Sequence, residues 1–195
     1  MKVLLIRHGL KNLRKGDVSL TKEGEKQAEL TAKHLLKNEK VAKIVSSPLL
    51  RTKQTAQIIS QALGLDISFD DKLRERKNFG DTPNQSFDDF LKEWEYCSVN
   101  REFKPNNGLS SVESGTNLQK VIEKNAMPEN QTLALVTHGG IITDFLKNVL
   151  SESGVNKWKH HFPENSIREC SITTVQSNNS KFKIVEVGSV KHLSI

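Results

Sequence analysis

Three short runs of the chain end in residues able to hold or attack an anion: Arg7-His8-Gly9, Ser46-Ser47-Pro48-Leu49-Leu50-Arg51 and Thr137-His138-Gly139-Gly140. Arginine forks grip phosphate, sulfate or carboxylate by bidentate, charge-assisted bonds. The neighbouring glycines Gly9, Gly139 and Gly140 remove side-chain bulk, so backbone N–H groups can approach a ligand. Taken singly, a histidine after a strand is an ordinary structural residue and an arginine an ordinary surface charge. Gathered in one crevice, Arg7, Arg51, His8 and His138 would repel one another unless an anion lay between them. If that anion is a phosphoryl group, imidazole can attack phosphorus in line and form a phosphohistidine that water later hydrolyses. The guanidinium groups then stabilise the equatorial oxygens. The leaving alkoxide needs a proton, and Glu75 in LRERKNFG is the candidate acid, although such a carboxylate standing alone reads as a salt-bridged loop residue.

The elements that must position these residues follow from hydrophobic pattern. Val3–Ile6, Val41–Val45 and Thr132–Val136 are apolar runs of strand length, without internal Gly or Pro. Thr21 is a candidate N-cap before Ala28, Ala32, Leu35 and Leu36 at helical spacing. Thr55, Ile58, Ile59, Ala62 and Leu63 repeat that period up to Gly64, and Leu65–Phe69 reads as a further strand. Ile141 to Leu150 reads as another helix, and Phe87, Phe90, Leu91 and Trp94 as one more. ECSITTV and KFKIVEV, separated by Gln176 to Ser180, predict a hairpin that supplies edge strands. Alternating strands and helices predict an α/β three-layer sandwich: a mostly parallel central sheet, helices on both faces and a small cap insertion. The strand-end runs then meet at the carboxyl rim of the sheet, where open α/β folds bind ligands.

The 195 residues, 35% hydrophobic, predict a single domain over 1–195, with the polar, Pro/Gly-punctuated segment 70–109 as a cap. The apolar run after Met1-Lys2 is too short for a signal-peptide core or a membrane span, which predicts a cytoplasmic protein without a membrane partner. The net charge of +6 is interspersed with Asp and Glu rather than massed, and no aromatic-interleaved basic motif predicts nucleic acid as a partner. Cys97 and Cys170 form no CxxC pair and read as free thiols. There is no P-loop, DxD pair or HExxH, and arginines beside His8 and His138 disfavour a cation, so neither metal nor cofactor is expected. His160-His161 lacks metal-ligand spacing and is given no role. Oligomeric state is not legible.

LLIRHG, SLTKEGEKQA, VSSPLLRTKQTA, LRERKNFG and LALVTHGGII, in that order, resemble the phosphoglycerate-mutase-like branch of the histidine phosphatase superfamily. ENSIRECSITTV is similar to the family's closing Asn-Ser segment and strand. The resemblance implies His8 as the phosphorylated nucleophile, Arg7 and Arg51 as phosphate ligands, His138 as a further donor to phosphate, and Glu75 as general acid and base. The run after RHG departs from the family: Leu10-Lys11-Asn12-Leu13-Arg14 replaces the usual acidic or amide residue, Thr or Ser and later Asn. Asn12 and Lys11 are candidate ligands there, and Gly139 a backbone contact. The expected activity is metal-independent hydrolysis of a small phosphorylated metabolite, the modest cap favouring hydrolysis over transfer. Mutase-type transfer is the alternative within the enzyme class, and a phosphate- or phosphoprotein-binding regulatory module the alternative outside it. Lys72, Arg74, Arg76 and Lys77 crowd Glu75 in sequence; if they face the crevice, the substrate carries a second anionic group.

Overall fold

The computed structural model describes residues 1–150, 154, 167–178 and 181–194. His160-His161, Asn165-Ser166 and the hairpin-turn residues Asn179-Ser180 lie outside the described residues. Six strands form one sheet, β1 (Lys2–Arg7), β2 (Val41–Ser46), β3 (Ile67–Phe69), β4 (Thr132–Thr137), β5 (Ile172–Asn178) and β6 (Lys181–Ser189), in the order β3-β2-β4-β1-β5-β6. The first four run parallel, while β5 and β6 are antiparallel additions beside β1. The hairpin expected from the sequence is therefore present, with β6 at the edge and β5 one place in; strand pairing runs on to Asn178, inside the stretch read as a turn.

Among the described residues are five helices, α1 (Lys22–Asn38), α2 (Leu50–Leu63), α3 (Phe87–Val99), α4 (Ser111–Lys124) and α5 (Gly139–Val149); α1, α2, α4 and α5 cover the sheet, while α3 adds nothing to either core cluster. Strand alternation sorts the core into two clusters. Val3, Leu5, Leu133 and Leu135 point to the face covered by Leu118, Val121 and Ile122 of α4 and Ile141, Ile142 and Phe145 of α5. Leu4, Ile6, Ala134 and Val136 point to the opposite face, against Ala32 and Leu35 of α1 and Ala56 and Ile59 of α2. This is the three-layer α/β architecture that the apolar runs predict, and burying a side chain such as Phe145 contributes on the order of 2–3 kcal/mol before entropy is counted.

Local chemistry sets the helix ends. Thr21 Oγ1 accepts from Gly24 N–H at 3.0 Å and starts α1. A side chain at Gly24 would run into the Leu10 backbone, and one at Gly9 into that of Gly24, which explains glycine at this crossing. Helix α2 stops at Gly64 in the left-handed conformation, φ 66°. The strand expected from Leu65 begins at Ile67. Helix α4 was not among the expected elements. It carries a full capping box, Ser110 Oγ accepting from Glu113 N–H and Glu113 from Ser110 N–H, followed by Leu118, Val121 and Ile122.

In register, Arg7 stands opposite Thr137 and Ser46 opposite Val136. The peptides just beyond continue that alignment, His8 N–H donating to Thr137 O at 3.0 Å and Ser47 N–H to Val136 O at 2.9 Å. The parallel sheet thus delivers His8, Ser47 and His138 to one rim.

Candidate active site

His8 is buried, with the ring fixed at both nitrogens. Nδ1 lies 2.7 Å from Gly9 O, and because a carbonyl only accepts, Nδ1 carries the hydrogen. Nε2 accepts from Arg51 Nε–H at 3.2 Å, so the lone pair that could attack phosphorus is on this nitrogen and is engaged by Arg51. Burial lowers the His8 pKa well below the ordinary imidazole value, and Arg51, Arg7 and Lys11 lower it further, against the Gly9 bond. The arrangement presents a neutral imidazole in one tautomer, which is the form a nucleophile needs.

His138 follows β4 and meets His8 edge to face, ring centroids 5.2 Å apart. Its Nε2 lies 2.9 Å from Ser47 Oγ, while Nδ1 is buried without a hydrogen-bond partner. Donation from the serine hydroxyl to Nε2 leaves the hydrogen on Nδ1, a donor aimed away from the serine. Burial first, then Arg51 and His8, holds the His138 pKa well below the ordinary value.

The arginines are each tied by part of the guanidinium. Arg51, from the first turn of α2, donates Nε–H to His8 and Nη2–H to Asn78 Oδ1 at 3.3 Å. Asp17 approaches its Nη1 at 3.7 Å, an ion pair too long for a hydrogen bond, and Nη1 is buried without a hydrogen-bond partner. Arg7, at the end of β1, donates Nη1–H to Ile167 O at 2.5 Å and pairs through Nη2 with Glu169 at 2.7 Å. Its Nε–H is likewise buried and unpartnered. A Cβ at Gly139 would stand 3.4 Å from Arg7 Cδ and Nε, so the glycine lets the α5 backbone lie close under the arginine. Two buried N–H donors, Arg7 Nε and Arg51 Nη1, and the buried His138 Nδ1, a donor in the tautomer that accepts from Ser47, thus lack partners on the residues adjoining His8.

Glu75 caps α5 from outside the helix. Its Oε2 accepts from Gly140 N–H at 2.9 Å, and Oε1 from Ile141 N–H at 3.0 Å and from Arg76 N–H at 3.2 Å. His138, in the N-cap position, makes no side-chain cap bond, so the carboxylate satisfies those helix-end donors and faces the positive end of the dipole. Glu75 is also the carboxylate that Arg51 feels most strongly, and its bonds to Gly140 and Ile141 set it at the helix start that carries Gly139.

The structure therefore gathers Arg7, His8, Arg51, Glu75, His138 and Gly139. Asn12 is used differently: its Nδ2 donates to Ser19 O, Ser19 Oγ and Leu20 O at 3.0–3.2 Å, bracing the loop instead of pointing an amide N–H at a ligand. Of the basic residues flanking Glu75, Arg74 acts on Arg51 and His138 from an exposed position, while the others do not crowd the crevice as their spacing suggests. Arg76 is buried on Asp144, Lys77 is paired with Glu93, Arg74 is exposed near Asp71 and Lys72 is exposed. Sequence reasoning missed Ser47, Asn78, Asp17, Thr55 (whose Oγ1 accepts from Gly9 N–H at 3.1 Å) and Glu169. Ser47 stands inside the strand-end run and Asn78 three residues after Glu75, so proximity in sequence was the available signal.

Among the described residues, no helix is long and apolar enough to cross a membrane. No curated protein matches the sequence. Solved structures do. A mycobacterial glucosyl-3-phosphoglycerate phosphatase in complex with VO3 superimposes with a TM-score of 0.74 at 21% identity, over 96% of this chain and 98% of that one. A phosphoserine phosphatase from Entamoeba histolytica, in complex with 3-phosphoglyceric acid, gives 0.71 at 24% identity, covering 98% of both chains. YhfR of Bacillus stearothermophilus gives 0.70 at 19% identity over 99% of both. These likenesses establish the fold. The sequence itself matches the histidine phosphatase superfamily (branch 1) over residues 3–189. The chain belongs to that superfamily, and with it to the phosphoric monoester hydrolases of the histidine phosphatase type.

Proposed function

We propose that the chain hydrolyses small phosphomonoesters without a metal, through a phosphohistidine on His8 Nε2. One observation carries this reading: the residues adjoining His8, which are Arg7 before it in the chain, Arg51 bonded to its Nε2 and His138 packed on its ring, each keep a buried side-chain nitrogen without a partner. A phosphoryl group placed there receives bonds on its peripheral oxygens from Arg7 Nε, Arg51 Nη1 and His138 Nδ1, with the N–H of Gly139 at the start of α5 beside them. Asn12, its amide nitrogen engaged in the loop, serves such a substrate only by shaping the wall.

In the first step Nε2 forms the P–N bond as the ester P–O bond breaks, and Glu75 gives its proton to the departing oxygen. Three backbone N–H bonds hold the Glu75 carboxyl in place for this transfer. In the second step Glu75 takes a proton from water, the water oxygen attacks phosphorus, and the P–N bond breaks to release phosphate and the original imidazole. The neutral, single-tautomer state of His8 matches both steps. The solved relatives named above as phosphatases of phosphorylated metabolites support the substrate class. We further read residues 1–195 as one domain, with 70–109 as its cap, and the protein as cytoplasmic, where the free thiols Cys97 and Cys170 are at home.

The test is release of p-nitrophenol from p-nitrophenyl phosphate in excess EDTA, comparing wild type with His8→Ala. Turnover by the wild type that vanishes in the variant is the expected result. Equal turnover by both overturns the nucleophile, and conversion of 3-phosphoglycerate to 2-phosphoglycerate without phosphate release marks transfer instead of hydrolysis.

A further inference from the structure

The loop that follows the nucleophile is fixed. Lys11 pairs with Leu20 in an isolated antiparallel bridge, and Asn12 N–H donates to Ser19 O at 3.0 Å. Thr21 closes the loop on Leu10 O through its N–H at 2.9 Å and its hydroxyl at 3.2 Å, while Leu10 N–H is held by Gln27 Oε1 at 2.9 Å. The backbone of Lys11 is thereby set three residues beyond His8.

Its side chain is half-buried and, among the described residues, makes no ion pair or hydrogen bond. Lys77, by contrast, is buried with a carboxylate and a carbonyl as partners, Glu93 and Asn106 O. Burial is the main cause that lowers the Lys11 pKa, Arg51 and then Arg7 lower it further, and Glu169 opposes them. His8 in turn feels Lys11. Glu169 is already bound to Arg7 Nη2 at 2.7 Å. A third cation thus acts on the two arginines with no counter-ion of its own among the described residues.

The buried donors Arg7 Nε, Arg51 Nη1 and His138 Nδ1 are enough for the three peripheral oxygens of one phosphoryl group. Those nitrogens have no solvent access and Lys11 is only half-buried, which favours a place for its ammonium outside them, at the mouth of the pocket. We propose that Lys11 forms a second subsite at this mouth for an anionic group, such as a carboxylate, borne by the substrate a few atoms from its phosphoryl ester. The substrate class is then phosphorylated acids rather than phosphorylated alcohols. Lysine suits this task as a compact point charge on a long stem, able to follow a carboxylate whose position varies with the ester. The proposal rests on the reading of the inner pocket as a phosphoryl site.

The probes are 3-phosphoglycerate and glycerol 3-phosphate, which share the phosphomonoester and differ in a carboxylate against a hydroxymethyl group. Titration calorimetry on the full chain carrying His8→Ala, so that nothing turns over, should find 3-phosphoglycerate bound about tenfold more tightly than glycerol 3-phosphate. Adding Lys11→Met should erase that preference while leaving the glycerol 3-phosphate Kd within about twofold, and Lys11→Arg should keep most of it. Equal affinity for the two esters without a Lys11 change overturns the proposal. So does an equal loss on both esters in Lys11→Met, which would put the ammonium on the phosphoryl group or make it a loop brace. Inorganic phosphate separates the two readings: if it binds and the esters are not distinguished, only the second subsite falls, whereas if it fails to bind, the phosphoryl pocket falls with it.

Discussion

Replacing Arg76 by methionine removes the most heavily used guanidinium of the described residues. Arg76 Nη1 meets Asp144 Oδ1 at 2.9 Å and Oδ2 at 3.2 Å and donates to Ser111 Oγ at 3.0 Å. Nη2 donates to Trp94 O at 3.0 Å and Ser98 Oγ at 2.5 Å, and the group lies 3.7 Å over the Trp94 ring. The side chains of the pair are 3% and 1% exposed. Deleting one member of such a pair strands the other charge and costs about 3–5 kcal/mol. In a chain of this size that is a Tm loss of roughly 6–20 °C at 2–4 °C per kcal/mol. The pH dependence tests the cause. Burial raises the Asp144 carboxyl from 3.8 to about 6 despite Arg76, so the stability linked to its proton is complete below 3.8 and is lost as pH rises through 6. At pH 5 Asp144 is largely protonated, and the loss in Arg76→Met should shrink to the bonds that the guanidinium donates to Ser111, Trp94 and Ser98, about 2 kcal/mol. Urea denaturation at pH 7.5 and pH 5 measures both values, and Arg76→Met with Asp144→Leu should recover much of the loss at pH 7.5. A cost below about 1 kcal/mol at pH 7.5, or one unchanged between the two pH values, would refute the assignment of this pair as a buried, uncompensated-on-deletion clamp.

Other outcomes follow from the site. Glu75→Gln should lower kcat for alkyl phosphates about 10²-fold or more and p-nitrophenyl phosphate far less, because a good leaving group needs little protonation; equal losses would remove Glu75 from the acid role. Because the pKa of His8 is held well below 6.5, kcat/KM for p-nitrophenyl phosphate should show no His8 inflection at 6.5, only one further to the acid side. The same depression in His8 and His138 means that the unfolded chain takes up protons first, so their contribution to stability is complete above 6.5 and is lost as pH falls below it. Since Asp144 acts in the opposite sense over the same window, urea midpoints are best compared in Asp144→Asn. Gly140→Ala would bring a Cβ to 2.6 Å from Trp94 Cη2 and against Glu75 Oε1, and should reduce kcat about tenfold or more through a displaced carboxylate, read against unchanged inorganic phosphate binding.

The parts of this molecule legible in its sequence are those in which one residue's type and its neighbours' spacing suffice. Val3–Ile6 and Thr132–Val136 read as buried strands because both faces of a parallel sheet are covered, and that reading places Arg7, His8 and His138 without any knowledge of register. What the chain conceals is decided by pairings between distant segments. Arg74, Arg76 and Lys77 look alike beside Glu75, yet Asp144, 68 residues away, takes one and Glu93, 16 residues away, takes another. Only Arg74 is left exposed. Helix α4 was concealed for a different reason: Ser, Gly, Thr and Asn weaken its intrinsic propensity, and its capping box together with packing on α5 outweighs that composition. The role of Glu75 shows both effects at once. Its position in LRERKNFG suggested an acid, but that it is held by the first amides of α5, 65 and 66 residues away, depends on a helix whose own N-cap residue, His138, makes no side-chain cap bond. The same helix start therefore needs Glu75 as a cap and offers Gly139 to the phosphoryl pocket, so capping and catalysis are coupled through three consecutive residues, Gly139, Gly140 and Ile141.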